Sequence, residues 1–92
     1  MKFMTTWSAR PGTLREAVSR FLAGRGAPGE GVKLLGRWHS TDLSVGYSLF
    51  ESDDPAALYK SAAPWADIMD LKSVLVIEDD EAGPALASVF KS

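Results

Sequence analysis

The sequence predicts an α+β domain, a four-stranded antiparallel sheet with helices on one face. Three observations lead there. Runs of aromatic, β-branched and alternating residues take turns with stretches of helical period, in the order strand, helix, strand, strand, helix, strand. Pro and Gly clusters punctuate the chain where these runs meet. And 92 residues without a cysteine make one domain, residues 1–92, with no disulfide framework to hold it.

The first strand is expected over Lys2 to Ser8, where Thr and aromatic residues suit a pleated surface. Pro11-Gly12 ends it. Thr13 with Glu16 three positions later has the spacing of a capping box. Leu14, Ala17, Val18, Phe21 and Leu22 then recur on one helical stripe, and Gly24 and Gly26 close the helix. Ala27 to Gly31 is a loop. Strand two is expected from Val32 to His39 and strand three from Val45 to Ser52, joined by Ser40 to Ser44.

With that loop length, Lys33 opposes Glu51, Leu35 opposes Leu49, Arg37 opposes Tyr47 and Trp38 opposes Gly46. Opposite charges and aromatic-on-glycine pairs favour this register. A bulge at Gly36 would shift it by one residue and swap every face downstream.

Asp53-Asp54-Pro55 starts the second helix, with aspartate as N-cap and proline in the first turn. Leu58, Ala62, Trp65 and Met69 share a face, and Pro64, lacking an amide, is expected to interrupt the helix. Leu71 to Glu78 is strand four. Asp79, Asp80 and Glu81 suit the positive end of a last short helix, with Pro84 in its first turn and Leu86, Val89 and Phe90 on its apolar side. This order is the ferredoxin-like βαββαβ arrangement with a C-terminal helix added.

Strand four is apolar on both faces, and strands two and three carry large apolar residues on both. One wet face would give cleaner alternation. Two helices cover one face only, and a domain this small has a marginal core. A second copy packed sheet against sheet, a homodimer, would cover the other face.

The segments KFMTTW, GRWHS, GYSLFESDDPAAL and WAD together resemble a small bacterial family catalogued as domain of unknown function 3303. Such proteins look like members of the dimeric α/β-barrel superfamily, in which two ferredoxin-like sheets close face to face. The resemblance implies a cavity between sheet and helices, or within the barrel, able to hold a small molecule. It implies no particular activity. Related barrel families include cofactor-free monooxygenases, isomerases and haem-degrading enzymes.

The net charge of −2, with both signs spread along the chain, argues against nucleic acid or an anionic membrane as partner. No stretch has the length of a signal peptide or a membrane span, so a soluble cytoplasmic protein is expected. One histidine and no cysteine leave zinc without ligands. The acidic run Glu78 to Glu81 lacks the glycine and spacing of a calcium loop and reads as a solvated helix start. No phosphate-binding Gly loop and no Gly-x-Ser-x-Gly elbow is present, and no cofactor or metal is expected.

Candidate ligand-binding residues are His39, Arg37, Tyr47 and Trp7. Histidine is the residue type that titrates near neutrality, and this chain has one. As a general base it needs a pocket and an orienting partner. Arg37 and Tyr47, on its face by the register above, would bind or polarise an anionic or carbonyl group. Trp7, Trp38 and Trp65 suit an apolar cavity wall, and equally a core or dimer interface. Glu51 and Asp67 are read as structural ion-pair partners, Glu51 with Lys33. Three functions stay open: a small-molecule-binding dimer; a cofactor-independent isomerase or monooxygenase on a small aromatic or carbonyl compound; and a structural or interaction module.

Overall fold

The computed structural model describes residues 1–90. Its strands are β1 (Lys2–Ala9), β2 (Lys33–His39), β3 (Gly46–Glu51) and β4 (Met69–Val76). Its helices are α1 (Leu14–Arg20), α2 (Pro55–Ala62) and α3 (Asp79–Val89). The strands form one sheet in the order β2-β3-β1-β4. Every neighbouring pair is antiparallel. The order is consistent with a ferredoxin-like fold. α1 and α2 both lie over the sheet face that carries Thr5, Trp7, Ser48 and Met69.

The hairpin of β2 and β3 keeps the expected pair Lys33 with Glu51 and sets Leu34 against Phe50. The register then shifts between Leu34 and Gly36, so Gly36 faces Leu49, Arg37 faces Ser48, Trp38 faces Tyr47 and His39 faces Gly46. The expected pairings of Leu35 with Leu49, Arg37 with Tyr47 and Trp38 with Gly46 are therefore corrected. Leu35 is the extra residue of a β-bulge, and everything beyond it moves by one position.

Several local expectations change for identifiable reasons. Thr13 stands at the N-cap position of α1, but its side chain makes no capping bond. Its hydroxyl donates to the carbonyls of Arg10, 2.7 Å, and Ile68, 2.9 Å, tying the loop before α1 to the start of β4. Glu16 pairs instead with Arg20, one turn on, at 3.0 Å. α1 is shorter than its apolar stripe and passes into a π turn over Phe21–Arg25, closed by Gly24 at φ +84°. The turn carries Phe21 inward to the cavity and leaves Leu22 77% exposed. Met69 belongs to β4 and not to the second helix, because β1 runs on to Ala9 and Ala9 pairs with Met69.

The second helix is as expected. Asp54 caps it by accepting the Ala56 amide at 3.0 Å, with Pro55 at its first position. It breaks at Pro64 into a 3₁₀ turn, Ala63–Trp65. Trp65 packs against the small core of Ala17, Ile68 and Met69. Its ring also lies 5.8 Å beneath the Arg20 guanidinium. Arg20 in turn grips Asp67 with two hydrogen bonds, 3.0 and 2.8 Å. That pair holds the Asp67 carboxyl below its usual range. Asp67 is thus a structural ion-pair partner. Lys33 and Glu51 face each other across the hairpin.

α3 begins five residues before Pro84, so the proline sits inside the helix and not in its first turn. None of its residues is buried, and Leu86 and Val89 stand exposed. No helix among the described residues is long and apolar enough to cross a membrane.

Candidate ligand cavity

Strand parity decides which side chains meet beneath the helices. Residues paired across the sheet share a face and form rows. One row on the helix-covered face is Arg37, Ser48, Thr5 and Ser73; the next is His39, Gly46, Trp7 and Leu71. The first row is polar, and each of its side chains has a hydrogen-bond partner. Thr5 and Ser73 share a hydrogen bond of 2.7 Å, and Ser48 accepts the Trp7 indole N–H at 3.2 Å. Ser48, 1% exposed, is the most deeply buried among the described residues.

The second row depends on a missing side chain. A Cβ on Gly46 would fall 1.9 Å from the Trp7 ring. Glycine there lets the indole lie flat across β3 and reach the neighbouring strand. Trp7 meets the His39 ring edge-on, with centroids 5.3 Å apart. Phe21, delivered by the π turn, approaches the same imidazole from another side, also at 5.3 Å and edge-on. His39 is thus held by two aromatic rings. Among the described residues its ring nitrogens have no hydrogen-bond partner in the protein.

Arg37 sits beside it. Its guanidinium lies 5.6 Å from the Phe21 ring and donates to the carbonyl of Gly26. Glycine at 26 permits this approach, since a Cβ would meet Phe21 at 2.9 Å and Arg37 at 3.1 Å. Burial pushes Arg37 down from the usual arginine range. No carboxylate among the described residues lies within 4.0 Å of it, so no ion pair adds to what the Gly26 carbonyl and the Phe21 ring offset.

These groups line a cavity of about 190 Å³ between the sheet, α1 and α2. Its floor holds the buried Thr5, Ser48, Leu58 and Met69. Leu14, Val18, Phe21 and Leu43 are exposed as well as lining, which puts the mouth between α1 and the β2–β3 turn. That turn is built to hold its shape. Asp42 accepts from the Ser40 hydroxyl at 2.8 Å and from the Ser44 hydroxyl and amide at 2.7 and 3.0 Å. The bonds hold the Asp42 carboxyl down at about 2. Leu43 is left at φ 67°, a conformation disfavoured for a branched side chain, and its side chain lies on the rim.

Of the four residues singled out in the sequence, the fold brings Trp7, Arg37 and His39 together and leaves Tyr47 out. Tyr47 pairs with Trp38 and Thr6 on the opposite face of the sheet. The bulge at Leu35 is the cause: it put Ser48, not Tyr47, beside Arg37. Sequence reasoning missed Ser48, Phe21 and Leu43 as parts of this site. Phe21 lay on the helical stripe and was legible only as packing. Ser48 would have followed from the shifted register. Trp38 is also on the open face, its ring folded back over Gly36, where a Cβ would come within 2.5 Å.

No cluster of three metal-ligating side chains forms among the described residues. None of the curated proteins matches this chain. The model of the family described as domain of unknown function (DUF3303) matches residues 1–90, and the chain belongs to that family.

Proposed function

We propose that this member of the DUF3303 family binds a small molecule in the cavity between sheet and helices, and does so as a homodimer. The observation that carries the reading is the cavity itself: a mostly apolar space beneath the helices into which a few polar groups, Arg37, His39 and Ser48, converge. Trp7 and Phe21 supply flat walls, as expected of a site for a ring or short chain. Binding without chemistry fits better than an isomerase or monooxygenase. Among the described residues His39 has no acidic partner to orient it as a base, and the phenol of Tyr47 faces the other way.

The dimer reading rests on surface left uncovered. Met4, Leu49 and Val74 form one row on the open face, next to Tyr47 and Trp38. Trp38 is 56% exposed there. Among the described residues the buried apolar core, Phe3, Ala17, Leu58, Ile68 and Met69, is small for such a chain, which favours gaining burial by association. A second copy packed on this face would bury the aromatic pair.

A fragment screen read by amide NMR tests the ligand reading. Single-ring fragments should shift the amides of Val18, Phe21, Arg37, His39 and Ser48. A library without hits on these amides would refute it.

A further inference from the structure

The lining of the cavity limits what it can take. Among the described residues, no aspartate, glutamate or lysine lines it, and Arg37 is its one fixed charge, in a chain whose net charge is −2. An arginine withdrawn from water keeps its charge and costs free energy unless an anion meets it. Here the protein supplies a carbonyl, that of Gly26, and an aromatic face, that of Phe21, and no carboxylate within reach among the described residues. The rest of the polar lining consists of hydroxyls and the imidazole of His39. Hydroxyls and a ring N–H can all donate to an oxyanion.

Size narrows the choice again. The volume of about 190 Å³ is modest. A cavity of about 150 Å³ takes one benzene. One ring with a short acidic arm therefore fills the space, and a second ring would have to extend out through the mouth.

We infer that the cavity takes a small apolar monoanion, a single ring or short chain ending in a carboxylate, with Arg37 as its counter-charge and His39 and Ser48 beside it. This rests on the reading of the cavity as a ligand site. The guanidinium fork matches a carboxylate with two parallel hydrogen bonds, which an amide of the same shape cannot reproduce.

Phenylacetate and phenylacetamide separate the two ideas, because they share a ring and a shape and differ in charge. Titrated into the full chain at neutral pH and followed by calorimetry, phenylacetate should bind at least about tenfold more tightly. Arg37→Gln should bring the two compounds within about twofold, and Arg37→Lys should keep part of the preference. The Arg37 side-chain Nε–H resonance of the unmodified protein should move with phenylacetate and stay with phenylacetamide, a readout that needs no variant to fold. Equal binding of both compounds would leave the cavity a ligand site and overturn the anion. A preference for the acid that survives in Arg37→Gln would overturn the role of Arg37. If neither compound binds at millimolar concentration, the ligand reading falls and the inference with it.

Discussion

On the helix-covered face, the β2–β3 hairpin presents Arg37, His39, Gly46 and Ser48. On the open face the same strands present Gly36, Trp38, Tyr47 and Leu49. Each face has a tryptophan lying over a glycine, Trp7 over Gly46 beneath the helices and Trp38 over Gly36 in the open. The chemistry around them differs. Beneath the helices the indole N–H is satisfied by a buried serine and the ring abuts a histidine. In the open, Trp38, Tyr47 and Val74 stand exposed. Beyond the bulged residue Leu35, the hairpin turns Arg37, His39 and Ser48 to the helix-covered face and Trp38, Tyr47 and Leu49 to the open one.

The comparison can be broken first at the open face. If a second copy covers it, Trp38→Asp places a charge in the interface and should cost association about 2 kcal/mol or more, the scale of a tryptophan hot spot. Light scattering at micromolar concentration should then fall from twice the chain mass to once. An unmodified protein that already scatters as a monomer would remove the open face's role.

The two glycines make a sharper test. Gly46→Ala forces the Trp7 ring off a buried sheet surface and should destabilise the fold by about 1–3 kcal/mol in thermal unfolding. Gly36→Ala in the isolated chain meets only an exposed indole able to swing outward, and should stay within about 0.5 kcal/mol. Equal losses at both positions would mean the two faces are packed alike.

Much of this was legible in the sequence, and the failures have a common cause. Asp54-Pro55 fixed the start of α2, and Pro64 its break, because each acts on its own backbone within a turn. Residues 37 and 39 share a face in any strand, so Arg37 and His39 stayed together. The partner across the hairpin was different. Which residue faces Arg37 depends on whether Leu35 is bulged out, and no local preference of Leu35 or Gly36 decides that; the packing of Trp38 over Gly36 and of Trp7 over Gly46 does. Thr13 shows the same limit. Its capping-box spacing was right, but the carbonyl of Ile68, 55 positions later, competes for its hydroxyl.

Smaller effects should appear at the rim. Leu43→Gly relieves a left-handed backbone and should raise stability by about 1 kcal/mol, measured by denaturant unfolding. It also opens the cavity mouth. Asp42 should report pH. Its carboxyl is held at about 2, below the ordinary value of 3.8. The stabilisation it brings is complete above that ordinary value and is lost as pH falls through about 2. The amides of Ser44 and Val45 should shift over that acid window, and Asp42→Asn should abolish the transition.

Fluorine NMR of protein labelled with 5-fluorotryptophan tests the division between the two faces most directly, since Trp7 and Trp65 line the cavity and Trp38 stands on the other side. Phenylacetate should move the Trp7 and Trp65 resonances and leave Trp38 in place, whereas dilution that separates the proposed dimer should move Trp38 alone. A Trp38 resonance that follows the ligand while Trp7 stays silent would contradict the account.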